Sequence, residues 1–176
     1  SFPTQELLPS WSPDGTALVF SQGGESRSIW VVRRKPDGSW ARPVKRHAVG
    51  AWTDWSPDGR TFAFVTNTLG GSLFTSGVES GEPRMLLDAT QPGLPIAQQP
   101  YWSQDGTTIY FKSHDERANA SIWSVPSTGG PPKQLVRFDD PQRPSYRPQW
   151  ALGRDRIYFP MEDRQSDVWV IDVAKR

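Results

Sequence analysis

Apolar residues occur along this chain in short runs, each closed off by Gly, Pro, Asp or Ser. Runs such as Ala17 to Phe20, Ile29 to Val32, Leu73 to Ser76, Ile122 to Val125 and Val168 to Ile171 are rich in β-branched and aromatic residues, which suit a pleated, half-buried surface. Further strands are predicted near Pro43-Val44, at Arg84 to Leu87 and at Lys133 to Val136, after turns at Pro36-Asp37-Gly38, Ser80-Gly81 and Thr128-Gly129-Gly130. The pattern predicts many short strands.

The pattern repeats, and a period in this range signals a solenoid or propeller. LLPSWSPDGTALVF from Leu7 to Phe20 returns as TDWSPDGRTFAF from Thr53, as QPYWSQDGTTIYF from Gln99 and as RPQWALGRDRIYF from Arg147. Trp11, Trp55, Trp102 and Trp150 lead the four copies, spaced 44, 47 and 48 residues apart. Phe20, Phe64, Phe111 and Phe159 each follow nine residues later, and Trp30, Phe74, Trp123 and Trp169 form a third aromatic column. A first strand ends at each lead Trp. Turns follow at Asp14-Gly15, Asp58-Gly59 and Asp105-Gly106, where Gly accepts positive φ and Asp bonds its own backbone. In the fourth copy Ala151 to Asp155 replaces this turn element.

Four short strands per copy is the pattern of a propeller blade. The expectation is an all-β chain forming a single β-propeller segment over residues 1–176, made of four consecutive four-stranded antiparallel blades at about 7–47, 50–88, 97–138 and 145–176. The last blade has room for only three strands before Arg176, so its outer strand is expected to be missing and the chain to be the C-terminal part of a larger ring. Two such segments could instead close an eight-bladed ring as a homodimer of half-rings.

The WSPDG element and the strands that follow it resemble the WD-like repeats of TolB-type propellers over nearly the whole chain. Similar repeats occur in the propellers of prolyl-oligopeptidase-type peptidases and in extracytoplasmic regions of bacterial sensor proteins. The resemblance implies a ring of six blades, a non-catalytic module that binds a protein or peptide, and a periplasmic or extracytoplasmic location. It leaves two alternatives: an accessory propeller of a larger peptidase, or one of a bacterial sensor.

Composition narrows the chemistry. With 20 basic and 19 acidic residues the net charge is +1, without long runs of either sign, so nucleic acid is an unsuitable partner. No apolar span is long enough to insert into a membrane, and the absence of Cys excludes disulfides and thiolate chemistry. The 15 Gly and 17 Pro, with nine Trp, fit turns and strands. No GxSxG elbow is present, and Gly23-Gly24 and Gly70-Gly71 lack the Lys and Ser/Thr of a phosphate loop. No catalytic residue, metal site or cofactor is expected. His47 is placed at an exposed strand edge, and His114 on a solvated loop from Ser113 to Ser121.

Repeated residues are explained by the fold. Asp14, Asp58 and Asp105 sit in separate blades, too far apart to act as a carboxylate pair, and the lead tryptophans are expected between blades. Residues that differ between copies are the better site candidates. Ser10, Asp54, Tyr101 and Gln149 precede the lead Trp by one position, and Leu8, Trp52, Gln99 and Arg147 precede it by three, near the central channel. Loops on the same face add Arg27, Asn67, His114, Arg117, Arg143, Tyr146, Glu162 and Arg164. Trp52, Asp54, Tyr101, Gln149, Arg147, Arg117, His114 and Tyr146 are the predicted partner-binding residues, because mixed aromatics and arginines are enriched at protein contacts.

Overall fold

The structure is a computed structural model that describes residues 6–23, 27–67, 69–79, 81–153 and 156–162. Its first sheet holds β1 (Glu6–Trp11), β2 (Ala17–Gln22), β3 (Ser28–Arg33) and β4 (Val44–His47) in the order β1-β2-β3-β4. The second holds β5 (Ala51–Trp55), β6 (Thr61–Val65), β7 (Leu73–Gly77) and β8 (Arg84–Leu87), again in sequence order. The third holds β9 (Gln98–Trp102), β10 (Thr108–His114), β11 (Ala120–Pro126) and β12 (Lys133–Phe138). A fourth, two-stranded sheet pairs β13 (Ala151–Leu152) with β14 (Ile157–Tyr158). All pairings are antiparallel, as in successive blades. The strand predicted at Val168 to Ile171, with Trp169, lies outside the described residues, as do Gly24 and Arg164.

Apolar residues from adjacent sheets meet in three clusters. Ala17, Val19, Ile29 and Val31 of the first sheet pack against Trp55, Phe62 and Phe64 of the second. Ala63, Val65 and Leu73 on the far side of the second sheet meet Ile109, Phe111 and Val125 of the third. Ala120, Ile122 and Phe138 then meet Trp150, Ile157 and Phe159. Outside the inner strands β1, β5 and β9, side chains alternate between two neighbouring blades, so both faces of a middle blade are core.

The lead tryptophans depend on this stacking. Trp55 and Trp150 are each 5 % exposed, and their indole N–H groups donate backwards to the preceding blade, at 2.9 Å to the Ser10 carbonyl and 3.0 Å to the Gln99 carbonyl. Trp11 departs from the expectation of an inter-blade core position: it is 57 % exposed and touches only the ring of Trp40 among the aromatics, because no described blade precedes it.

The Asp-Gly turns recur with nearly identical bonding. Ser12 Oγ donates to Asp14 Oδ1 at 2.6 Å, the Thr16 N–H donates to the same oxygen at 3.0 Å, and Gly15 has φ of 68°. Ser56 and Arg60 bind Asp58 in the same way, as Ser103 and Thr107 bind Asp105. These hydrogen bonds, the serine hydroxyl first, hold the carboxyl groups of Asp14 and Asp105 down at about 2. The repeated aspartates are therefore turn fasteners at one end of the blades.

A second repeated device lies in the innermost strands. In β1, β5 and β9, three residues advance while the partner strand advances two, which makes a one-residue bulge at Leu8, Trp52 and Gln99. These three residues have φ of 57°, 51° and 44°, a left-handed conformation that costs a non-glycine residue on the order of 1–3 kcal/mol. The bulge breaks alternation, so Ala51 and Asp54, three positions apart, both lie on the side facing the third blade with Val65 and Ala63. Arg147, the matching position of the fourth copy, is not among the positive-φ residues.

Candidate binding site at the channel mouth

The connections β2–β3, β6–β7 and β10–β11 share one end of the blades with the blade-to-blade linkers, opposite the Asp-Gly turns. Near that end, the inner strands of three blades surround a depression of about 220 Å³ lined by Leu8, Pro9, Ser10, Trp52, Thr53, Asp54, Gln99, Pro100 and Tyr101. Three predicted site residues, Trp52, Asp54 and Tyr101, are brought together here.

The bulges turn the residue before each lead Trp towards the next blade. Ser10 Oγ donates to Asp54 Oδ1 at 3.3 Å, Asp54 Oδ2 accepts the Trp102 backbone N–H at 2.9 Å, and the Tyr101 hydroxyl donates to the Trp150 carbonyl at 3.1 Å. These contacts form a forward relay across four blades. Burial pushes the Asp54 carboxyl up to about 6, against the lowering effect of the Trp102 N–H and the Ser10 hydroxyl. Among the described residues no basic side chain forms an ion pair with Asp54. Gln99 Nε2 donates to the Tyr101 oxygen at 2.6 Å, while Gln99 Oε1 is buried without a hydrogen-bond partner.

The remaining predicted residues lie elsewhere. Tyr146, Arg147 and Gln149 are exposed on the linker into the fourth blade, and Arg117 is exposed in the short β10–β11 loop, where its backbone N–H donates to Asp115 Oδ1 at 2.9 Å. None of these four lines the depression. His114 is not on a solvated loop: pairing of Ser113 with Ser121 and of His114 with Ala120 carries β10 to its end, leaving 115–119 as the loop. Its Nδ1 meets Gln98 Oε1 at 2.8 Å and its Nε2 meets the Ser145 carbonyl at 3.3 Å. His47 is likewise no exposed edge. Its ring stacks on Phe64 at 5.0 Å across the first blade interface, and burial lowers its pKa.

The three-dimensional similarities match this geometry. TolB from Acinetobacter baumannii superimposes with a TM-score of 0.55 at 20% identity, covering 74% of this chain and 32% of that one. The fold is that of a TolB-like β-propeller. The propeller domain of the Trilobed protease from Pyrococcus furiosus superimposes with a TM-score of 0.52 at 14% identity, covering 88% of this chain and 47% of that one. In sequence, the propeller is 37% identical over 115 residues to a protein named as an uncharacterized peptidase, YuxL, from Bacillus subtilis, covering 57% of this chain and 16% of the relative. It is 24% identical over 153 residues to the uncharacterized protein Atu1656 of Agrobacterium fabrum, covering 86% of this chain and 50% of that protein. The chain thus spans half or less of the length of these relatives. No protein-family model matches it.

One feature of the propeller had no sequence signal. Lys112 is 0 % exposed, in a β10 position held by Ser21 in the first copy and Val65 in the second. Its Nζ donates to Ser145 Oγ at 2.7 Å and to the Arg147 carbonyl at 2.6 Å, fastening the linker that carries Tyr146. Burial lowers its pKa to about 8. Acidity and access make opposite predictions: an amine near 8 should acylate readily, yet an enclosed one cannot be reached. Enclosure is expected to win. At pH 8.5, acetic anhydride should label Lys35, Lys45 and Lys133, all exposed, well before Lys112, as read by mass spectrometry of the native protein. Early labelling of Lys112 would show that the linker opens readily. Among the described residues no three His, Asp or Glu side chains are grouped to hold a metal ion.

Proposed function

We propose that this propeller is a non-catalytic binding module that presents its loop-rich face and channel mouth to a protein or peptide. The observation that carries this reading is the convergence of Trp52, Asp54, Gln99 and Tyr101 on one depression. Two amphipathic aromatics held on rigid strands beside polar groups have the composition of a contact hot spot. The left-handed backbone at Trp52 and Gln99 adds to it, since strained positions cluster where ligands bind.

Peptides selected by phage display against the immobilised propeller test it. Trp52→Ala is expected to weaken the selected peptides at least tenfold, about 1.4 kcal/mol, whereas Ser39→Ala, in the β3–β4 turn at the opposite end, leaves them unchanged. Peptides indifferent to Trp52→Ala but lost with Ser39→Ala would overturn the reading.

A second reading is an accessory propeller of a larger peptidase-type enzyme. The 37% identity to the B. subtilis protein and the fold shared with a protease propeller favour it. Peptide hydrolysis by the full-length polypeptide, absent from the propeller alone, decides for it.

A further inference from the structure

We propose that the depression at the channel mouth binds a cationic group of the partner, an ammonium or guanidinium, with Asp54 as its counter-charge and Trp52 and Tyr101 as its aromatic walls. This inference rests on the channel mouth being the contact face.

The hydrogen-bonding balance of the site carries it. Asp54 offers about four lone-pair directions, and its side chain receives one neutral hydroxyl at 3.3 Å, one backbone N–H at 2.9 Å and a weaker approach by the Trp55 backbone N–H, which leaves acceptor capacity unused. No described basic residue neutralises it. Beside it, the single Tyr101 hydroxyl proton is committed to the Trp150 carbonyl, so the group that approaches the Tyr101 oxygen at 2.6 Å must be the amide N–H of Gln99. That fixes the orientation of the amide and leaves Gln99 Oε1 as a buried acceptor without a donor. The single side-chain donors of Ser10 and Tyr101 are already directed at Asp54 and Trp150, and one of the two Gln99 amide protons at Tyr101. What the depression offers a ligand is the charge and spare acceptor capacity of Asp54 beside aromatic surface, and a cation suits all three, whereas Gln99 Oε1 is enclosed and adds only to the negative potential.

A larger groove, of about 520 Å³ between the second and third blades, lacks this balance: it is lined by Asp58 and Asp105, whose carboxylates are already fastened into their turns, and by both Glu82 and Arg84. Arg117 and Arg147, exposed on the loop face, disfavour a strongly basic partner. One isolated cation seated against Asp54 escapes most of that repulsion, because exposed charges are screened beyond about 8–10 Å.

The test uses four capped pentapeptides with Gly on both sides of a central Lys, Arg, norleucine or Gly, plus pentaglycine amide with a free N-terminus. Each is titrated into the 15N-labelled protein. The Lys and Arg peptides are expected to shift the amide signals of Asp54, Gln99 and Tyr101 saturably, at least tenfold more tightly than the norleucine peptide and more weakly as salt is raised. A response to pentaglycine amide alone would assign the cation to a chain N-terminus, and a response to the Lys or Arg peptide to a side chain. Asp54→Asn keeps an acceptor for the Trp102 N–H and removes the charge; it should abolish the preference for cations while the protein still melts cooperatively. Norleucine binding as tightly as lysine, or an unchanged preference in Asp54→Asn, overturns the proposal. If display-selected peptides depend on Trp52 but not on Asp54, the cation is wrong and the channel mouth stands; if no peptide maps to the mouth, both fall.

Discussion

Replacing Phe62 with alanine is expected to lower the free energy of unfolding by about 3–5 kcal/mol, the range for removing a buried aromatic ring. Phe62 is 0 % exposed between the first two blades, with the rings of His47 and Phe64 each 5.8 Å away. Among the described residues the core clusters lie between blades, so a cavity there loses contacts from two sheets at once. Against a total of about 5–15 kcal/mol for an ordinary domain, that loss leaves little margin. Leu18 occupies the same place in the first copy, paired with Trp11 as Phe62 is with Trp55, but no described blade covers it and it is only half-buried. Leu18→Ala should therefore cost much less. Urea denaturation of both variants checks the pair, and equal losses would contradict the view that inter-blade burial carries stability.

The second large effect is on pH. The Asp54 carboxyl lies at about 6 in the folded protein against 3.8 for an ordinary aspartate, so between those values the folded state holds more protons than the unfolded one. Its contribution is fully present below about pH 4 and is lost as pH rises through about 6. At roughly 1.4 kcal/mol per pH unit, the loss by pH 7 is on the order of 2–3 kcal/mol. His47 and His114 act oppositely, since burial lowers both and the stability they confer is lost as pH falls below 6.5. The difference between the wild-type protein and Asp54→Asn isolates the aspartate. Thermal melts should show Asp54→Asn gaining on the wild type between pH 4.5 and 7, and a pH-independent difference would mean that burial does not raise the Asp54 carboxyl above an ordinary aspartate.

The relay explains why a destabilising carboxylate persists within the inner strands. Asp54 links Ser10 of one blade to the Trp102 backbone of the next but one in sequence, fixing three inner strands around the depression. The same side chain serves blade registration and, in the proposed function, recognition. Its two roles separate in the asparagine variant, which retains an acceptor and loses the charge.

The repeat made the architecture legible without coordinates. Trp11, Trp55, Trp102 and Trp150, the Asp-Gly turns and the aromatic columns determine blades, because each is a local requirement: positive φ at Gly15, a carboxylate bonded within its own turn, alternating apolar residues on short strands. Trp52, Asp54 and Tyr101 were also visible as neighbours of the lead Trp that vary between copies. Tertiary structure alone decided the rest. The left-handed bulges at Leu8, Trp52 and Gln99 carry no glycine to announce them, and they reverse which face Asp54 occupies. Burial of Lys112 and His114, and the exposure of Trp11, depend on which blade lies alongside, a contact between residues some 30 to 50 positions apart that no local pattern encodes.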